Sequence, residues 1–238
     1  MIFKRQLPSV KPDELKFFHQ YKDTNDTYDY SGNGNNGIKV NSPTVGGFKS
    51  YFDRVSKSFI EVAHSDTLDI ADEITMSCWY RITDEVPFTR ENRGLMCKWN
   101  AASNNDGCYE IIQSKELGAL IGVVYGLVIL EGNTFVSLYE SSMTTTKDQE
   151  WHFICARWTD TVRDVFIDEQ KYVRTPPISG TIKSYPSIPL RIGTVGDERE
   201  DPGTGVYFGG EIAFPMIFNR VITDNEVTAL FESQKGYF

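Results

Sequence analysis

Apolar and polar positions alternate along most of the chain. In "EITMSCWYRI", Ile74, Met76, Cys78 and Tyr80 fall on one side and Thr75, Ser77, Trp79 and Arg81 on the other, the period of a β-strand. "EWHFICARW" alternates with both sides fairly apolar, as an inner strand of a two-layer fold does. "RDVFIDEQKYV" predicts a hairpin: Val165 to Ile167, a turn over 168–170, then Tyr172 and Val173. Further strands are expected at 15–21, 48–52, 59–62, 95–98, 109–113, 120–124, 127–131, 135–140, 190–192 and 210–218. One helix stands out in "TDNEVTALFES". Thr223 is placed as its N-cap with Glu226 three residues on, a capping box, and Val227, Leu230 and Phe231 share a face. About a dozen short strands and one capped C-terminal helix predict an all-β fold, a two-sheet antiparallel jelly-roll sandwich. No repeat disturbs this reading, and no shift in composition divides the chain. Residues 1–13, with Pro8 and Pro12, are expected to form an extended arm, and 14–238 a single domain.

Composition narrows the partners. The chain has 238 residues, 40% of them hydrophobic, with 15 Phe, 12 Tyr and 4 Trp, enough for a sizeable core. A net charge of -9 without any long run of Lys or Arg argues against nucleic acid, whose recognition relies on clustered cations. The most apolar run, Leu117 to Leu130, is closed off by Glu116 and Glu131. It is shorter than the roughly 20 residues of a spanning helix and suits a buried pair of strands, so no membrane insertion is expected. The N-terminus lacks the apolar region and small-residue cleavage site of a secretory signal. Cys78 and Cys155 sit in strand patterns as small buried hydrophobes, and Cys97 and Cys108 flank a polar loop, their pairing left open.

The stretch "DYSGNGNNG" contains a G-x-G-x-x-G at Gly32, Gly34 and Gly37. A dinucleotide site needs a helix after it, to meet the pyrophosphate with its N-terminus. The following "IKVNSPTVGG" cannot start one, because Val40, Pro43 and the Gly46-Gly47 pair all oppose it. An EF-hand beginning at Asp29 needs a Glu at its twelfth position, which is Val40. The expectation is a tight double turn in which the three glycines supply positive φ and Asn33, Asn35 and Asn36 tolerate it.

That stretch, following "ELKFFHQYKD" and preceding "FKSYFDRVSKSFIEV", resembles the opening of laminin-G-like domains of the concanavalin A-like jelly-roll superfamily. "LDIADEITMSCWYRI", "GLMCKWN", "EWHFICARWTDTVRDVFIDEQ", "LRIGT" and "FGGEIAFPMIFNRVITDNEVTAL" continue the resemblance in order, over roughly 14–232. The resemblance implies glycan-binding modules, adhesion domains, virion proteins and sandwich glucanases as functional relatives. It also implies a calcium position: Asp53 in "YFDR" matches one ligand, while Ala213 stands where the family has an Asp. The cofactor expectation is therefore none, with calcium as the one candidate.

Catalysis finds no support. The glucanase strand E-x-D-x-E is absent, Glu198 and Glu200 lie in a Gly/Pro-bounded loop, and neither H-E-x-x-H nor G-x-S-x-G occurs. His152, beside Trp151, is read as structural. Sugar recognition needs an exposed aromatic face surrounded by polar groups on a rigid frame. The candidates are Trp99, Asn100, Asn104, Asn105 and Asp106 in "KWNAASNNDGCY", with Trp158 and Asp160. The expectation is a non-enzymatic binding or structural module, foremost a virion or surface decoration protein with glycan recognition. Its partners are then proteins of an assembly, glycans, or both, and its place a virion or an extracellular surface. A dedicated lectin-like adhesion module is the alternative, and a glycoside hydrolase the third reading.

Overall fold

A computed structural model describes residues 13–84, 92–99, 107–113, 124–138, 149–196 and 206–238. Fifteen strands among these residues form two antiparallel sheets: β1 (Leu15–Phe18), β2 (Gly37–Val40), β3 (Thr44–Gly46), β4 (Lys49–Phe52), β5 (Phe59–Val62), β6 (Ile74–Ile82), β7 (Arg93–Trp99), β8 (Gly107–Gln113), β9 (Val124–Leu130), β10 (Thr134–Ser137), β11 (His152–Trp158), β12 (Arg163–Ile167), β13 (Gln170–Val173), β14 (Leu190–Ile192) and β15 (Gly210–Phe218). One sheet has seven strands in the order β10-β9-β8-β7-β14-β5-β2. The other has eight, β13-β12-β11-β6-β15-β4-β3, with β1 pairing along the C-terminal half of β15. The fold is the expected antiparallel sandwich with one C-terminal helix, α1 (Asp224–Gln234).

The alternation in β6 is realised as read. Cys78 and Met76 face inward with Ile154 and Ala156 of β11, and Ala156 meets Gly126 of β9 across the sandwich. Thr75, Ser77, Trp79 and Arg81 face the other way, where α1 covers part of the sheet. That outer layer is a cluster of its own, built from Leu15, Phe18, Trp79, Phe153, Phe166, Met216, Val227 and Leu230. The capping box forms with Thr223 and Glu226. Val227 and Leu230 are buried, whereas Phe231 is only partly so and lies stacked on Trp79.

The predicted hairpin closes through a two-residue turn with Asp168 at φ 53. The Asp168 carboxylate then accepts from Phe153 N–H at 2.8 Å and lies 2.8 Å from His152 Nδ1. The described partners of His152 are thus those of a hairpin brace. All four cysteines are free and buried; Cys97 donates to the Ile111 carbonyl, and the Cys108 sulfur accepts from Lys98. Two short strands, β2 and β3, went unread because they are three or four residues long among Gly, Asn and Pro. Of the strand expected at 120–124 only Val124 lies within the described residues; it begins β9.

Candidate functional site

The glycine-rich stretch builds a frame. Asp29 holds it from within: one carboxylate oxygen accepts from Phe18 and Ser31 N–H, the other from Asn35 N–H and Ser31 Oγ. Gly32 and Gly34 take φ of +94° and +79°, which side chains disfavour. Gly37 differs from the expectation: it starts β2, and its need for glycine is space, since a Cβ there would lie 2.4 Å from Ile60 Cγ2. Asn33 and the buried Asn35 tie this frame to neighbouring segments. Both donate to the Lys16 carbonyl, and Asn35 also donates to Thr67 Oγ1 at 2.9 Å while accepting from Ser65 Oγ at 2.6 Å. His19 closes the frame from below, 3.2 Å from the Asn35 carbonyl through Nε2. Burial depresses its pKa to about 4, against the opposing pull of that hydrogen bond, Asp29 and Asp26, so it is neutral at physiological pH.

The residues tied down in this way, Lys16 and Thr67, line a cavity of about 270 Å³ together with Asp66, Ile70, Asp72 and Asn219. Its chemistry is mixed. Asp69 in its wall is compensated by the wholly buried Lys98, 2.9 Å away, and by Ser184. Glu73 accepts from Val221 N–H. Lys16 Nζ, the Asp72 carboxylate and the Asn219 amide have no hydrogen-bond partner among the described residues, so an ammonium, an acid and an amide are all presented to solvent around Ile70. The parts of this cup come from strand β1, the 3-10 turn Asp66–Leu68, the segment after it and the residue following β15. Its polar members occupy none of the apolar positions of the pattern, and 203 positions separate Lys16 from Asn219, so pattern reading had no signal for it. The run "DTLDIADE" was the single local hint.

The residues expected from the sequence lie elsewhere. On the seven-stranded sheet, facing away from the other sheet, Ile38, Glu61, Arg191, Cys97, Glu110, Leu127 and Ser137 stand opposite one another in one row across all seven strands. Trp99 ends β7 beside this row, and its carbonyl accepts from Arg191. Its indole is 8% exposed, lying against Gly107 and near Phe135 at 5.8 Å. Asn100, Asn104, Asn105 and Asp106 lie outside the described residues, as do Glu198 and Glu200. Trp158 is on the eight-stranded sheet, wholly buried, its indole donating to the Ile178 carbonyl. Asp160 is exposed and accepts from Gly180 N–H at 2.9 Å. The structure therefore separates Trp158 from Trp99 by sheet and leaves it no open stacking face. Replacing Gly107 with Ala would put a Cβ 2.3 Å from Trp99 Cε3. The indole must tilt out, at a cost of about 2 kcal/mol, seen as a lower denaturant midpoint and red-shifted emission.

Calcium does not fit the pair of positions expected for it. Asp53 spends one oxygen on Val55 N–H and the other on Ser56 N–H, and Ala213 is buried in the outer layer. Among the described residues no three His, Cys, Asp or Glu side chains are grouped to hold a metal.

No family model matches the chain, and no curated protein matches it. Solved structures do. Domain 4 of an extracellular GH43 arabinanase from Geobacillus stearothermophilus, solved with arabinotriose, superposes with a TM-score of 0.63 at 13% identity, covering 91% of this chain and 98% of that one. The ligand binding domain of botulinum neurotoxin serotype D, solved with N-acetylneuraminic acid, gives 0.64 at 12% identity, covering 96% of this chain and 53% of that one. The binding domain of Paraclostridial Mosquitocidal Protein 1 gives 0.63 at 16%, covering 93% and 52%. The chain thus spans nearly the whole arabinanase domain and about half of the toxin domains. At these identities the likeness is one of fold.

Proposed function

We propose that this chain is a non-catalytic glycan-recognition module, a concanavalin A-like sandwich of the laminin-G-like kind, acting at an extracellular or particle surface such as a virion. The observation that carries the reading is the cup at Lys16, Asp72 and Asn219: free donors and acceptors around Ile70, on a hydrogen-bonded frame. A sugar ring needs that combination, hydroxyl partners around a small apolar contact. The arabinotriose-bound domain, matched over nearly its full length, supports the same reading. Among the described residues lining the cup, Asp66 and Asp72 beside Lys16 favour neutral sugars over anionic ones here.

Glu61 and Glu110, which share the outer face of the seven-stranded sheet, do not make a glycosidase pair. Three inter-strand steps separate them, about 14 Å, against the roughly 5–9.5 Å of either hydrolytic geometry.

The test is a neutral glycan array followed by calorimetry. Lys16→Ala, Asp72→Ala and Asn219→Ala are each expected to weaken the best ligand about tenfold, the worth of one hydrogen bond to a charged or well-placed group. An array without hits, or binding untouched by all three, overturns the proposal.

A further inference from the structure

The outer face of the eight-stranded sheet is only partly covered. Helix α1 and the turn after it lie over Trp79, Phe153, Phe166 and Ala213, and beyond them the sheet opens. There Tyr51 of β4, Glu211 of β15 and Arg81 of β6 stand opposite one another in register. Lys49, two residues before Tyr51 and so on the same face, reaches Glu211 at 2.8 Å, and Arg81 pairs with the other oxygen of that carboxylate. Two cations thus share one anion. Their side chains remain 38% and 34% exposed, so N–H donors still face water. On a chain of net charge -9 this is a local positive surplus.

Aromatic rings border it. Trp151 has the Arg81 guanidinium 5.4 Å and Lys49 Nζ 5.8 Å from its ring centroid, and Phe238 stacks on it at 4.2 Å. Tyr51, Tyr237 and Phe238 are 43%, 40% and 37% exposed. A platform of open rings beside unsaturated cations asks for a ligand that is apolar on one face and anionic at one edge.

We propose that this platform is a second binding site, for a carboxylate-bearing saccharide such as a uronic or sialic acid. The ring C–H face lies on Tyr51 and the carboxylate between Arg81 and Lys49, where charge-assisted hydrogen bonds are strongest. A neutral sugar leaves the cations unanswered, and a bare carboxylate leaves the rings unused. The site is independent of the cup at Lys16, which lies on other elements and carries the opposite charge balance.

Titration of the whole chain with trigalacturonate and with 3′-sialyllactose, followed by tryptophan emission, tests it, with lactose and acetate as controls. The expected result is saturable binding of at least one acidic saccharide, no binding of either control in the same range that depends on Tyr51, and loss of affinity for the acidic saccharide as salt rises from about 50 mM to about 500 mM. Tyr51→Ala and Arg81→Gln should each weaken binding about tenfold, and Asp72→Ala should leave it unchanged. Tyr51 is exposed, so its replacement tests the platform in a folded protein, checked by an unchanged melting temperature. No binding of either acidic saccharide, lactose or acetate binding equally well in a manner that Tyr51→Ala weakens, or a Tyr51→Ala protein that binds the acidic saccharide as wild type would each overturn the proposal. Failure at the cup alone leaves this result standing, and the reverse holds too.

Discussion

Glu110→Gln should raise stability at pH 8 and change the shape of the stability–pH profile. Glu110 is 4% exposed in the row between Cys97 and Leu127, and one of its carboxylate oxygens has no hydrogen-bond partner among the described residues. Burial pushes its pKa from 4.5 up to about 8; the neighbouring Cys97 thiol pulls the other way without offsetting it. Arg191, the cation of that row, is one strand further away and already bonded to Glu61 at 3.1 Å. Between pH 4.5 and 8 the folded chain holds this proton while the unfolded chain has released it. Stability therefore falls as pH rises through that window, by up to about 5 kcal/mol across it.

His19 acts with the opposite sign. Its folded pKa of about 4 lies below the ordinary 6.5, so its contribution is complete above 6.5 and is lost as pH falls toward 4, on the order of 3 kcal/mol. From pH 4.5 to 6.5 the two slopes cancel. As far as these two groups set it, the wild type should be level there and weaken from 6.5 to 8. Glu110→Gln should instead climb from 4 to 6.5 and stay level to 8. Urea unfolding at pH 5, 6.5 and 8 separates the curves, and parallel curves for variant and wild type would refute the assignment.

Arg157→Leu should cost about 3–5 kcal/mol, the range for removing one partner of a buried ion pair. The guanidinium, 3% exposed, makes a two-pronged bond to Asp164 at 2.8 and 2.7 Å and also donates to the Ile222 carbonyl and to Asp224. It stacks over Phe166 at 4.8 Å. These bonds tie the start of α1 to the sheet, so the variant strands the Asp164 carboxylate with Lys171 alone at 3.3 Å and frees the helix N-terminus. For a chain of this size the melting temperature should fall about 10 °C. Arg157→Leu combined with Asp164→Leu should lose less than Arg157→Leu alone, because no buried charge is then left unpaired. A double variant at least as unstable as the single one would show that the cost lies in lost packing.

Much of the fold was legible, and the particulars show why. The β6 and β11 alternations, the 163–173 hairpin and the capping box are local signals, complete within a dozen residues, and each formed as read. The tryptophans were legible as strand residues but not as to their surroundings. Trp99 and Trp158 both end strands before polar loops, yet Trp158 faces the other sheet and is wholly buried. Gly32 and Gly34 were rightly taken for turn glycines and Gly37, which starts β2, was not, and the part of this stretch in holding Lys16 and Thr67 required knowing what lay beside it.

The sequence by itself determined the class of fold, the helix and its cap, and the absence of a nucleotide turn, because periodicity and turn chemistry act between near neighbours. Only the tertiary structure decided which polar groups meet. The Glu61–Arg191–Glu110 row, the cup from Lys16 to Asn219 and the platform of Tyr51, Glu211 and Arg81 all depend on strand order and register. Those are set by the packing of two whole sheets, and a side chain's partner across a sheet leaves no mark on its own stretch of chain.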